Sequence, residues 1–142
     1  MDIINYSILN KDNEILISKT SIIGKSENVL IRREDDLTFS IYDLIEYKKI
    51  LEKLKQESEM AFSCGNIKRK KFFDEYIKEL LSGELGVIRK DSSNKVLIPN
   101  HVKDMYDIED RVLVCDGINH IKVFKNDKNK KEYEKRLINI FK

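Results

Sequence analysis

Short apolar runs set between polar turns open the chain. Ile15, Leu16 and Ile17 follow the polar turn Asn10-Lys11-Asp12-Asn13, and Val29-Leu30-Ile31 forms a second run. Both are rich in β-branched residues and read as strands. Thr38-Phe39-Ser40-Ile41-Tyr42 alternates, which places Phe39 and Ile41 on one face and Thr38, Ser40 and Tyr42 on the other. The period then lengthens. Leu44, Ile45, Tyr47, Leu51 and Leu54 recur at helical spacing, with Asp43 placed to cap the first turn. The polar residues 58–65 interrupt this helix weakly. A second helix carries Ile67, Phe72, Phe73, Tyr76, Ile77, Leu80 and Leu81 and stops near Ser82-Gly83.

Strand signals then return in the same order. Val96-Leu97-Ile98 follows the turn Asp91-Ser92-Ser93-Asn94, and Val112-Leu113-Val114 follows Glu109-Asp110. Ile121 and Val123 alternate with His120 and Lys122, and a last helix is expected from about residue 129 to 141. An offset of 81 lays Asn10 on Asp91 and Ile15-Leu16-Ile17 on Val96-Leu97-Ile98. Small further shifts match the later strands. The pattern predicts an α+β protein built as an internal repeat, with a pseudo-twofold, β-barrel-like core of short strands and a helix after each copy. The expected division is a first copy over residues 3–57, an inter-repeat helix over 58–83 and a second copy over 84–142.

Composition narrows the class. The chain has 142 residues, 41% hydrophobic and 37% charged, which is enough apolar material for a core. The longest unbroken apolar run is residues 112–115, too short for a membrane span or a signal-peptide core. Two cysteines, Cys64 and Cys115, make neither a disulfide framework nor a zinc site, so a reducing, cytoplasmic setting is expected. Net charge is +2 overall but uneven: −3 over residues 1–45, +3 over 46–90 and +2 over 91–142. A partner seeking positive charge meets it in the middle and the C-terminal part.

Enzyme chemistry finds no foothold in the motifs. His101 and His120 lie nineteen residues apart, and no Cys-x-x-Cys or Gly-x-Ser-x-Gly occurs. The pair Gly83 and Gly86 lacks the glycine-lysine of a phosphate loop. No enzyme activity, cofactor, metal or small-molecule substrate is expected.

The stretch Asp91-Ser92-Ser93-Asn94-Lys95-Val96-Leu97-Ile98-Pro99-Asn100-His101-Val102-Lys103 resembles the D-x-x-G-R-I-x-I-P-x-x-L-R signature of the AbrB-like swapped-hairpin DNA-binding fold. Asn94 stands for glycine, since both accept a left-handed turn, and Lys95 and Lys103 stand for the two arginines. Two such copies separated by helices resemble the MraZ family of bacterial transcription regulators. The resemblance implies a cytoplasmic, nucleoid-associated homo-oligomer, a ring in that family. It also implies binding to direct repeats of double-stranded DNA upstream of its own division and cell-wall operon, without a membrane role.

A two-stranded ribbon fits the major groove, so Lys90, Asn94, Lys95 and Lys103 are the candidate DNA contacts, with Lys11 in the first copy. Asp91, Pro99, Asn10 and Asn13 are the candidate motif-structural residues. Asp91 serves either as an Asx cap or as an ion-pair partner of Lys95. Lys103 serves DNA or a surface helix, and His101 reads as a surface residue. The first copy departs from the motif: Glu14 replaces the arginine, Ser18 the proline and Ile22 the trailing arginine. A glutamate repels phosphate, so only Lys11 and Lys19 offer compensation there. The alternative is therefore a degenerate assembly protein that has lost DNA reading and acts through protein partners. The basic cluster Lys68-Arg69-Lys70-Lys71 reads as a solvated helix turn with partners at Asp74 and Glu75, ahead of the other reading, a sequence-independent clamp on phosphates. Residues 125–131, with four lysines, read as an exposed linker.

Overall fold

The computed structural model describes residues 4–17, 27–90, 94–117 and 120–140. These form eight strands and four helices in the order β1 (Ile4–Ile8), β2 (Glu14–Leu16), β3 (Asn28–Arg33), β4 (Thr38–Asp43), α1 (Leu44–Ser63), α2 (Ile67–Ser82), β5 (Glu84–Arg89), β6 (Lys95–Leu97), α3 (Asn100–Met105), β7 (Arg111–Asp116), β8 (His120–Phe124) and α4 (Asp127–Ile140). The class is α+β. No helix among the described residues is long and apolar enough to cross a membrane.

Six strands make one antiparallel sheet in the order β1-β7-β8-β4-β3-β5, and β2 pairs with β6 as a separate ribbon. The sheet is open, with β1 and β5 at its edges. The closed, barrel-like core expected from the sequence is not found among the described residues. The two short strands that would have to bridge those edges satisfy each other's hydrogen bonds instead.

The ribbon lies over one face of the sheet. Val29, Ile31, Phe39, Ile41, Val112, Val114, Ile121 and Val123 meet Ile15, Ile17, Val96 and Ile98 there, closed off by Val102, Tyr106 and Ile108 from α3 and the turn after it. On the opposite face Leu30 and Tyr42 pack on Tyr47 of α1, while Leu113, Cys115 and Phe124 pack on Tyr133 of α4. Both faces of the central strand β4 are thus covered, and all five residues from Thr38 to Tyr42 are buried.

Asp43 caps α1, its carboxylate accepting from the amides of Ile45 (2.8 Å) and Glu46 (3.4 Å). The interruption expected from residue 58 falls later, and α1 runs unbroken to Ser63. Ser58 stays helical because its hydroxyl donates across the helical hairpin to Asp74. The chain reverses at Gly65, whose φ of 75° suits glycine, and Asn66 caps α2 by accepting from the Arg69 amide at 3.1 Å.

The far end of α2 is tied to the sheet by one buried cation. Arg32 donates to the carbonyls of Leu80 (3.0 Å) and Glu79 (3.1 Å) and pairs with Glu34 at 2.9 Å. Its charge sits where the helix dipole is negative. Tyr47 adds a hydroxyl bond to Leu80 O at 3.3 Å. The chain turns there at Gly83, where a Cβ would lie 2.8 Å from the carbonyl oxygen of Arg33.

Residues 125–131 are not a linker, because α4 begins at Asp127. The Asn126 side chain accepts from the Asn129 amide at 2.9 Å and starts that helix. Lys130 and Lys131 then pair along it with Glu134 and Asp127.

His120 stacks on the Tyr42 ring, centroids 4.9 Å apart. Burial first, then the Lys122 charge, holds its imidazole below the ordinary histidine value. Glu34 opposes this weakly, and Arg32 adds to it. A histidine depressed in the folded state takes up its proton more readily in the unfolded chain. Stability is therefore complete above about pH 6.5 and falls as pH drops from there toward the folded value. Urea midpoints measured between pH 5 and 8 should slope downward with acid in the wild type. The slope should flatten in His120→Gln; equal slopes would show that His120 is not the source.

Candidate nucleic-acid interface

Each ribbon strand opens on an asparagine of the same hand. Asn13 and Asn94, the residues just before its strands, have φ of 61° and 63°. Both are left-handed, which asparagine tolerates better than most residues. Asn10 shapes the first turn as an Asx cap. Its side-chain oxygen accepts from the amides of Asp12 (2.9 Å) and Glu14 (3.0 Å), and its carbonyl accepts from Asn13 N at 3.0 Å. The ribbon ends are stitched crosswise: Ile17 donates to Asn94 O and Ile98 to Asn13 O, both at 2.8 Å.

Alternation decides what faces outward. Ile15 and Val96 point into the core. Glu14, Leu16, Lys95 and Leu97 take the other side, with Glu14 opposite Leu97 and Leu16 opposite Lys95. Leu16 is 61% exposed and Leu97 42%. Glu14 and Lys95 are half-buried, so the outer face carries one acid, one base and two leucines. The Asn10 amide donates to Glu14 at 3.0 Å and holds that carboxylate at the ribbon.

The other candidate cations meet the two asparagines. Lys90 and Asn94 are both buried, and the Lys90 ammonium donates to Asn94 Oδ1 at 2.9 Å. Lys103, in the last turn of α3, donates to Asn13 Oδ1 at 2.7 Å. The Asn13 amide in turn donates to Asn100 at 3.3 Å. Each left-handed asparagine is thus gripped by one lysine, and Lys103 crosses from one half of the chain to the other.

Pro99 precedes α3 in extended conformation, and its carbonyl accepts from the amides of Val102 and Lys103, both at 3.0 Å. Lys11 is exposed at the tip of the first turn. His101 is exposed, with a ring nitrogen 3.3 Å from Leu85 O. Asp91, Ser18, Lys19 and Ile22 lie outside the described residues.

The Lys68–Lys71 cluster lies far along the helical hairpin. Arg69 reaches Glu57 at 3.5 Å, Lys70 pairs with Asp74, and Lys71 lies 4.0 Å from Glu75. Among the described residues no group of three or more His, Cys, Asp or Glu could hold a metal. Sequence reasoning passed over Leu16 and Leu97 as outward residues. Period-two alternation within each apolar triple carries that signal, because the middle residue must leave the core when its neighbours enter it. No family model matches this chain, and no curated protein matches it significantly.

Proposed function

We propose that the chain is a DNA-binding transcription regulator of the MraZ type, acting as an oligomer on repeated sites upstream of its own division and cell-wall operon. The resemblance over residues 91–103 supplies the class. The observation that carries it further is the strand register. Moving 81 residues along takes β1 to β5 and β2 to β6, while 83 takes β3 to β7 and 82 takes β4 to β8. Under that exchange Tyr6↔Leu113 becomes Val87↔Leu30, and Leu30↔Tyr42 becomes Leu113↔Phe124. Thr38↔Phe124 becomes His120↔Tyr42, and Glu14↔Leu97 becomes Lys95↔Leu16. Every one of these is a pair in the sheet or ribbon. Two unrelated β-meanders have no reason to share register, turn handedness and a trailing helix. This favours two copies about a pseudo-twofold axis, with the ribbon on that axis.

In this proposal Lys11 and Lys95 meet phosphate directly. Lys90, Asn94 and Lys103 fix the turns that aim them. One ribbon makes few contacts, and several ribbons held in an oligomer on spaced repeats gain affinity through effective concentration.

Gel shifts with the DNA upstream of this gene test the proposal. Retardation should weaken steeply as salt rises, and Lys95→Glu should weaken it by about tenfold or more. An unchanged shift for Lys95→Glu would remove the ribbon as the DNA surface. A second function rests on the leucines beside Glu14 on the outer face. A degenerate assembly protein acting through protein partners would give an oligomer with no shift at low salt.

A further inference from the structure

We infer that the outer flank of α2 docks against α2 of a second copy of this chain, with the two helices antiparallel. α2 is 16 residues long, yet none of its residues is buried. α1 takes the side bearing Phe73, Ile77 and Leu80, which are half-buried. Phe72 and Tyr76 fall outside that contact, 61% and 46% exposed, with ring centroids 6.3 Å apart. Two rings at the middle of a solvated helix are unusual unless a partner covers them.

The charges around these rings identify the partner. Positions 69, 72, 76 and 79 follow a three-four-three spacing and form one stripe. The stripe reads Arg69, Phe72, Tyr76, Glu79, with Arg69 and Glu79 both exposed. It is symmetric in type about position 74. A second α2 laid antiparallel across that point sets Arg69 of each copy against Glu79 of the other, and Phe72 against Tyr76.

The rest of the helix follows the same division. Lys68, Lys70 and Lys71 lie in its first half, and Asp74, Glu75 and Glu79 further on, with Lys78 the one cation among them. A parallel copy would set like charges together, so the charges select the antiparallel arrangement. The Arg69 guanidinium already lies 3.5 Å from Glu57 and 5.2 Å from the Phe73 ring centre on an exposed side chain, so Glu79 of the second copy joins Glu57 around it.

Such a contact uses the same patch on both copies and closes at two. It does not depend on DNA binding. Where the chain also assembles through other surfaces, this contact joins two assemblies.

Sedimentation velocity of the full chain over a concentration series tests it. The wild type should self-associate, and Arg69→Glu or Glu79→Arg alone should weaken that step by about tenfold. An equimolar mixture of the two variants should regain the wild-type affinity, because opposite signs then face each other across the pair. Phe72→Ser should weaken the same step without help from mixing. A wild type monomeric throughout, as expected if some other helix occupies the flank, would overturn the proposal. So would association indifferent to both charge reversals, or a mixture that regains nothing.

Discussion

Arg32→Ala should lower the free energy of unfolding by about 3 kcal/mol, and the loss should appear first as opening of α2. The guanidinium is buried and holds three acceptors: two carbonyls at the end of α2 and the Glu34 carboxylate. Removing it leaves Glu34 partly buried without this counter-charge and strips the helix end of its positive cap. Since no residue of α2 is fully buried, that end relies on Arg32 together with Tyr47, the half-buried Ile77 and Leu80 and the turn at Gly83. Arg32→Lys keeps the charge but lacks the planar fork that reaches two carbonyls and a carboxylate at once, so it should recover less than half of the loss. Denaturant midpoints give the size of the effect, and amide exchange along α2 gives its place. A cost under about 1 kcal/mol for Arg32→Ala would mean that the fork is not what fastens the helix.

Phe39→Ala should cost about 3–5 kcal/mol. Phe39 is fully buried at the centre of the core, its ring 5.1 Å from that of Tyr106. Tyr106 is the neighbour best placed to fill the space, but its hydroxyl is fixed to the carbonyls of Asp35 (2.9 Å) and Thr38 (3.1 Å). Burial of that phenol pushes its pKa up to about 12, so it remains a donor across the ordinary range. A ring anchored at its far end cannot swing inward, and the cavity stays open. Phe39→Leu leaves a smaller void and should cost about 1–2 kcal/mol. Equal costs for the two variants in denaturant titrations would show that the core collapses around position 39.

The elements that announced themselves were those whose own residues settle the matter. The β-branched runs around Val29, Phe39, Val112 and Ile121 became β3, β4, β7 and β8, and Asp43 starts α1. β1 and β5 passed unread because they are edge strands. Tyr6 and Ile8 alternate with polar residues in β1, but like Val87 in β5 they are exposed, so these apolar positions mark no buried face. The end of α1 was misplaced because Ser58 remains helical through Asp74, a partner in the next helix. The candidate interface was legible as a pair of turns and strands, but not as a surface. That Lys103 reaches Asn13 depends on a contact spanning most of the chain, and local composition carries no trace of it. Whether the sheet closes is equally a matter of long-range pairing.

The interleaved strand order sets a timetable for folding. β1 has no partner until β7 leaves the ribosome, and β2 must wait for β6. The α1–α2 hairpin needs only neighbours in sequence and is free to form while synthesis continues. Ile15, Ile17 and the apolar side of β3 stay wet through that interval, so the nascent N-terminal half is the stretch on which a chaperone would act.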